Sequence, residues 1–133
     1  MTNNRTTALL VALIVVCSAV FASAAERVRA GDWETTLSIA GRTVTNSQCI
    51  SESDAAAMNG DANSIRVFAE GRNVKMKNGC TVKDVAIKGD QVAVTSVCAG
   101  KENVGTTTYH GDTFESVNTN GAKAQVKRVG ACK

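Results

Sequence analysis

Apolar and polar residues alternate along most of the chain, and short glycine-containing turns interrupt the alternation. After Trp33, the residues Thr35, Leu37 and Ile39 fall on one face of an extended segment with polar neighbours between them, the period-two pattern of a half-buried strand. Gly41-Arg42 offers a glycine-first hairpin turn, and Val44 opens a second strand running to Ile50. That loop sets Ile39 opposite Val44 and Trp33 opposite Ile50. Val85 and Ile87 lead into Gly89-Asp90, and Val92 and Val94 follow. A two-residue loop pairs Ile87 with Val92 and Val85 with Val94, whereas an odd-length loop sets Ile87 against Gln91, so the apolar pattern selects the register. Gly111-Asp112 repeats the device and pairs Tyr109 with Phe114, while Asn120-Gly121 is a dipeptide favoured in type I′ turns. The expected strands are 32–39, 43–50, 80–88, 91–98, 104–110, 113–119 and 122–130.

Residues 51–78 depart from this pattern. Ser51 with Asp54 makes a start similar to a capping box, an alanine-rich run follows, and Asn59-Gly60 ends the first helix. Asp61 caps a second helix in which Ile65, Phe68 and Ala69 share a face, with Lys75 and Lys77 towards its end and Gly79 beyond. A strand pair around Glu70-Gly71 is the competing reading of residues 61–77. Acid first, base last and glycine after suits the helix dipole and favours the helix. The fold class expected is mainly β (α+β): an antiparallel meander of about seven strands, free to curl into a barrel or half-barrel, with a helical insert between strands 2 and 3.

The N-terminus reads differently. Arg5 precedes an almost unbroken apolar run from Ala8 to Val20, and the small residues Ala22, Ser23, Ala24 and Ala25 follow. The run is too short for a membrane-spanning helix, which needs about 20 residues, and suits a cleavable secretory signal over residues 1–25. The domain expected after cleavage is 26–133, with no membrane span, in a periplasmic or secreted location. Without Arg5, fourteen bases face twelve acids, a net charge of +2. The bases are scattered and aromatic residues are few, which excludes a nucleic-acid footprint.

Four cysteines remain after the signal: Cys49, Cys80, Cys98 and Cys132. An even count in a small exported domain reads as two disulfides. Zinc is disfavoured, because there is no C-x-x-C pair and His110 is the only histidine. No metal or cofactor is expected. Strand parity orders the pairing: in the Val85–Val94 hairpin Cys80 lies on the face opposite Ile87, whereas Cys98 shares the face of Val92 and Val94. Cys49 points away from the face of Leu37, Ile39 and Ile50, and Cys132 has the parity of Ala124 and Val126. Side chains on opposite faces cannot meet, so the expected bridges are Cys49–Cys80 and Cys98–Cys132.

A family resemblance lies in an ordered set of motifs. Gly31-Asp32-Trp33-Glu34-Thr35-Thr36 is followed by Cys49-Ile50-Ser51, Cys80-Thr81-Val82, Gly89-Asp90 and Val97-Cys98. Thr108-Tyr109-His110-Gly111-Asp112-Thr113-Phe114 and Arg128-x-Gly130-Ala131-Cys132 complete it. In this order the chain resembles the exported bacterial family known as domain of unknown function 3617. The resemblance runs from Gly31 to Cys132 and implies a periplasmic or secreted β protein with helices between the second and third strands. It implies no activity.

Catalytic chemistry finds little support in the residues. His110 sits beside the Gly111-Asp112 turn, where a solvated side chain is expected, and general-base work needs a positioned partner. Asp32 and Glu34 flank Trp33 and point away from it, as on a solvated face. Gly31-x-Trp33 is similar to the entry motif of lipocalin barrels, with Arg128 on the last strand placed to make a cation–π contact over Trp33; a core tryptophan sealed by arginine is the plainer account. The sequence therefore suggests a non-enzymatic exported module that binds a periplasmic protein or a small apolar ligand. A lipocalin-like carrier and an inhibitor of a cell-wall lytic enzyme are the alternatives.

Overall fold

The computed structural model describes residues 26–133; the signal-peptide reading of residues 1–25 lies outside them. Seven strands form one antiparallel sheet: β1 (Gly31–Ile39), β2 (Arg42–Ile50), β3 (Thr81–Lys88), β4 (Gln91–Cys98), β5 (Lys101–Tyr109), β6 (Thr113–Asn118) and β7 (Lys123–Gly130). Their spatial order is β2-β1-β7-β6-β5-β4-β3. The sheet does not close into a barrel, and its edges are β2 and β3. Helices α1 (Glu52–Asn59) and α2 (Ala62–Met76) connect those two edges.

Both helices begin as the sequence dictates. The Ser51 hydroxyl accepts from the Asp54 amide at 3.1 Å, and the Asp61 carboxylate accepts from the Ser64 amide at 2.8 Å. These are side-chain caps on otherwise unpaired first-turn donors. The same bond holds the Asp61 carboxyl below the ordinary range. The competing strand pair at 61–77 is excluded, since α2 runs unbroken to Met76 and stops where Lys77 turns left-handed.

The hairpins confirm some registers and correct others. Ile87 faces Val92, Val85 faces Val94, and Tyr109 faces Phe114. The first hairpin differs by two residues: Leu37 faces Val44, Ile39 faces Arg42 and Trp33 faces Gln48. Its loop is Ala40-Gly41, both with positive φ (48° and 77°), a type I′ geometry in place of the glycine-first turn. A shift of two preserves every residue's face, so the apolar pattern alone could not detect it. Ala99-Gly100 makes a turn of the same kind and starts β5 at Lys101, three residues earlier than expected. Alanine is a weak signal for a left-handed position, which concealed both turns. At Asn120-Gly121 the loop has three residues, since Asn118 bonds Ala122 and Gly121 takes φ 88°.

The cysteine pairing requires the larger correction. The bridges are Cys49–Cys132 and Cys80–Cys98, not Cys49–Cys80 and Cys98–Cys132. A bulge in β3 between Val82 and Asp84 shifts the register, so that Val82 faces Ser96 and Thr81 faces Val97. Continued by one residue, this places Cys80 beside Cys98. A second irregularity on β7 leaves Trp33 facing Arg128 but Asp32 facing Gly130. Asp32 also faces Cys49, so the tail beyond Gly130 carries Cys132 to the side of Cys49. Each bulge adds one residue and inverts side-chain parity beyond it. Two cysteines therefore change face, and the partners exchange.

One face of the sheet is covered by the helices. Trp33, Val82, Val85, Val92, Tyr109 and Val126 pack there with Ala55 of α1 and Ile65 of α2. Trp33 is fully buried and stands 5.3 Å from the Phe114 ring, which lies 5.3 Å from Tyr109. At edge β3, Arg66 of α2 donates to the carbonyls of Val82 (2.9 Å) and Lys83 (3.3 Å). These bonds occupy carbonyls near the β3 bulge and tie α2 to that edge of the sheet.

Candidate functional site

The helix-covered face is not filled along its whole length. Ile65, Phe68, Ala69, Arg72, Asn73 and Met76 recur at three- and four-residue intervals and form one side of α2. Opposite them, strand alternation turns Val92 and Val94 of β4 and Thr107 and Tyr109 of β5 toward the helix. Between these surfaces lies a cleft of about 440 Å³, to whose lining Met58 of α1 also contributes. Its size falls within the range of small-molecule sites, and its walls are mostly aliphatic, aromatic and thioether groups.

Tyr109 marks the inner part of the cleft. Burial pushes its hydroxyl above the ordinary 10.0, with Arg27 opposing the shift. Arg72 lies over the Phe68 ring at 5.7 Å from its centroid, a cation–π contact that covers part of the aromatic wall. Beside Val94 a second recess of about 270 Å³ adjoins the cleft and shares Asn73, Val94 and Asn118 with it. The Cys80–Cys98 bridge forms part of that recess.

The residues singled out in the sequence occupy other places. His110, Glu34, Glu115 and Lys127 surround a shallow groove of about 370 Å³ on the uncovered face. His110 Nε2 is 3.9 Å from Glu115, beyond hydrogen-bonding distance, and both side chains are more than half exposed. Glu34 pairs with Lys127 at 3.2 Å. The arrangement is that of a solvated sheet face, with no acid holding the imidazole. Asp112 forms an ion pair with Arg29 instead, so the guanidinium of Arg29 is held charged above its ordinary range by that hydrogen bond. Among the described residues, no group of three or more histidine, cysteine or acidic side chains is arranged to hold a metal ion.

Trp33 and Arg128 face each other across β1 and β7, while among the described residues the one cation–π contact is Arg72 over Phe68. The Arg128 Nε donates to the Ala30 carbonyl at 3.0 Å, and Trp33 Nε1 donates to the Arg29 carbonyl at 3.0 Å. Both side chains tie the segment before β1 to the sheet. Gly31 makes this possible: its φ is 147°, and a methyl there would meet the Gly130 carbonyl at 2.5 Å and Arg128 Nε at 2.6 Å. The Gly31-x-Trp33 motif is thus a core device, and Trp33 is enclosed away from the cleft.

Sequence reasoning missed the clamp that joins this segment to α1. Asn59 Oδ1 accepts from the Arg27 and Val28 amides (2.7 and 2.9 Å), and its amide nitrogen donates to the Val28 carbonyl at 2.6 Å. Arg27 in turn donates to the Met58 and Gly60 carbonyls at the end of α1, where a helix welcomes positive charge. Val28 becomes fully buried as a result. Asn59-Gly60 carried only a helix-stop signal in the sequence, because the partner lies more than thirty residues away.

A family model described as Protein of unknown function (DUF3617) matches residues 28–132. No curated protein and no solved structure matches the chain.

Proposed function

The chain belongs to the DUF3617 family, whose description supplies no activity, and from the cleft we propose that it is an exported, non-catalytic module that binds a small molecule with an apolar body. The observation that carries this reading is the cleft between α2 and strands β4 and β5, walled by Phe68, Met76, Val92, Val94 and Tyr109. Methionine and aromatic walls suit a flexible apolar ligand, since thioethers adapt to irregular shapes. Two disulfides favour an oxidising compartment such as the periplasm, in keeping with the signal-like residues 1–25. No helix among the described residues is long and apolar enough to cross a membrane.

A neutral apolar fluorophore, N-phenyl-1-naphthylamine, tests the reading. The protein should enhance its emission saturably at one equivalent, and the enlarging substitutions Ala69→Leu and Val94→Phe should each weaken binding about tenfold or more, as expected when added side-chain volume occupies a pocket. Retained far-ultraviolet circular dichroism identifies folded variants. Unchanged binding in both folded variants would place the ligand elsewhere.

A further inference from the structure

We infer that the ligand is a single-chain amphiphile with an uncharged, hydroxyl-rich head, its tail lying in the apolar cleft and its head in the adjoining recess; the inference rests on the binding reading above. The recess is lined by Asn73, Asn78, Asn103, Asn118 and Asn120 with Ser96, and by no charged side chain. One-fifth of the chain is charged, so a recess of ten lining residues that is wholly uncharged and half asparagine has a distinct chemistry. Arg72, the one charged residue in the wall of the cleft, is placed over Phe68 and does not line the recess.

The amides also have capacity to spare. Asn73 Oδ1 accepts from Asn78 at 3.0 Å, and Asn103 Oδ1 accepts from Thr119 at 3.4 Å. Among the described residues, the amide nitrogens of Asn73, Asn103 and Asn118 donate to no protein group. Half-buried Asn118 stands where the two recesses join, and Gly105 leaves it room: a methyl on Gly105 would lie 2.6 Å from Asn118 Oδ1. Carboxamides donate and accept at once, as hydroxyl groups do. A phosphate, sulfate or ammonium head would enter the recess without an opposite charge to offset its lost hydration. The apolar cleft and the amide recess share Asn73, Val94 and Asn118, so one molecule with both properties can span them.

Calorimetric titration of the disulfide-bonded protein with octyl glucoside, octyl sulfate and octyltrimethylammonium, each below its micelle threshold, tests the inference. Octyl glucoside should bind one site about tenfold more tightly than either ionic amphiphile, the margin of two or so net hydrogen bonds. Asn118→Ala, and Gly105→Ala acting through the displaced Asn118 side chain, should erase that margin, bringing octyl glucoside to within about twofold of the ionic pair measured on the same variant. Equal affinities for all three heads in the wild-type protein, or a preference for a charged head, would overturn the inference yet leave the cleft reading standing. No binding of any of the three would remove both. A glucoside preference that survives in both variants would also overturn the assignment of the recess.

Discussion

Tyr109 reports on the cleft at the scale of one residue. It is the chain's only tyrosine, and burial holds its hydroxyl neutral above the ordinary 10.0. The stability that the neutral, buried ring contributes is therefore complete below 10.0. It is lost as pH rises from there through the folded value, because the unfolded chain releases its proton first. Phenolate absorbance should show one transition above 10.0 in the folded protein and a return toward about 10 in denaturant. A folded transition at or below the ordinary value would mean that the ring is solvated and the cleft wider than described. Other single residues act through fit. Gly31 admits Arg128 where any side chain would collide, and Asn59 bonds the Arg27 and Val28 amides and the Val28 carbonyl in a non-local clamp.

At the scale of elements, the bulges in β3 and β7 decide the covalent framework. In the chain-entropy account, the Cys49–Cys132 bridge spans 83 residues and contributes about 4.5 kcal/mol, against about 3 kcal/mol for Cys80–Cys98 across 18. Paired replacement of Cys49 and Cys132 by serine should thus lower unfolding free energy by roughly 1.5 kcal/mol more than replacement of Cys80 and Cys98. Urea unfolding of the two double variants measures the difference, and a larger loss from the shorter loop would contradict this ordering. The same elements show what the sequence makes legible. Seven strands and two capped helices could be read because alternation, Ser51, Asp61 and the glycine turns are local signals. The disulfide partners could not, because the trace of the β3 bulge is a single odd spacing, from Val82 to Val85, both buried on one face, and one apolar residue beyond the bulge does not reveal the change of phase. Ala40 and Ala99 hid their turns for a related reason: the left-handed residue there is alanine.

At the scale of the whole molecule, the sheet stays open between edges β2 and β3, the helices joining those edges cover one face, and the cleft lies between α2 and strands β4 and β5. The apolar side of α2 was readable from Ile65, Phe68 and Ala69, but the cleft was not. It depends on which strands lie beneath the helix, and strand order is a long-range property. The sequence also directed attention to Trp33, Arg128 and His110, which the fold assigns to the core and to a solvated face. Binding, export and the two bridges meet in one observable. Native mass spectrometry of the protein released from its host's periplasm should give a chain beginning at Ala25 or Glu26, four hydrogens lighter than the reduced form, with one equivalent of a small neutral amphiphile bound. A chain that keeps residues 1–25, or a processed chain that carries no small molecule and takes up none of the octyl glucoside added to it, would contradict the account.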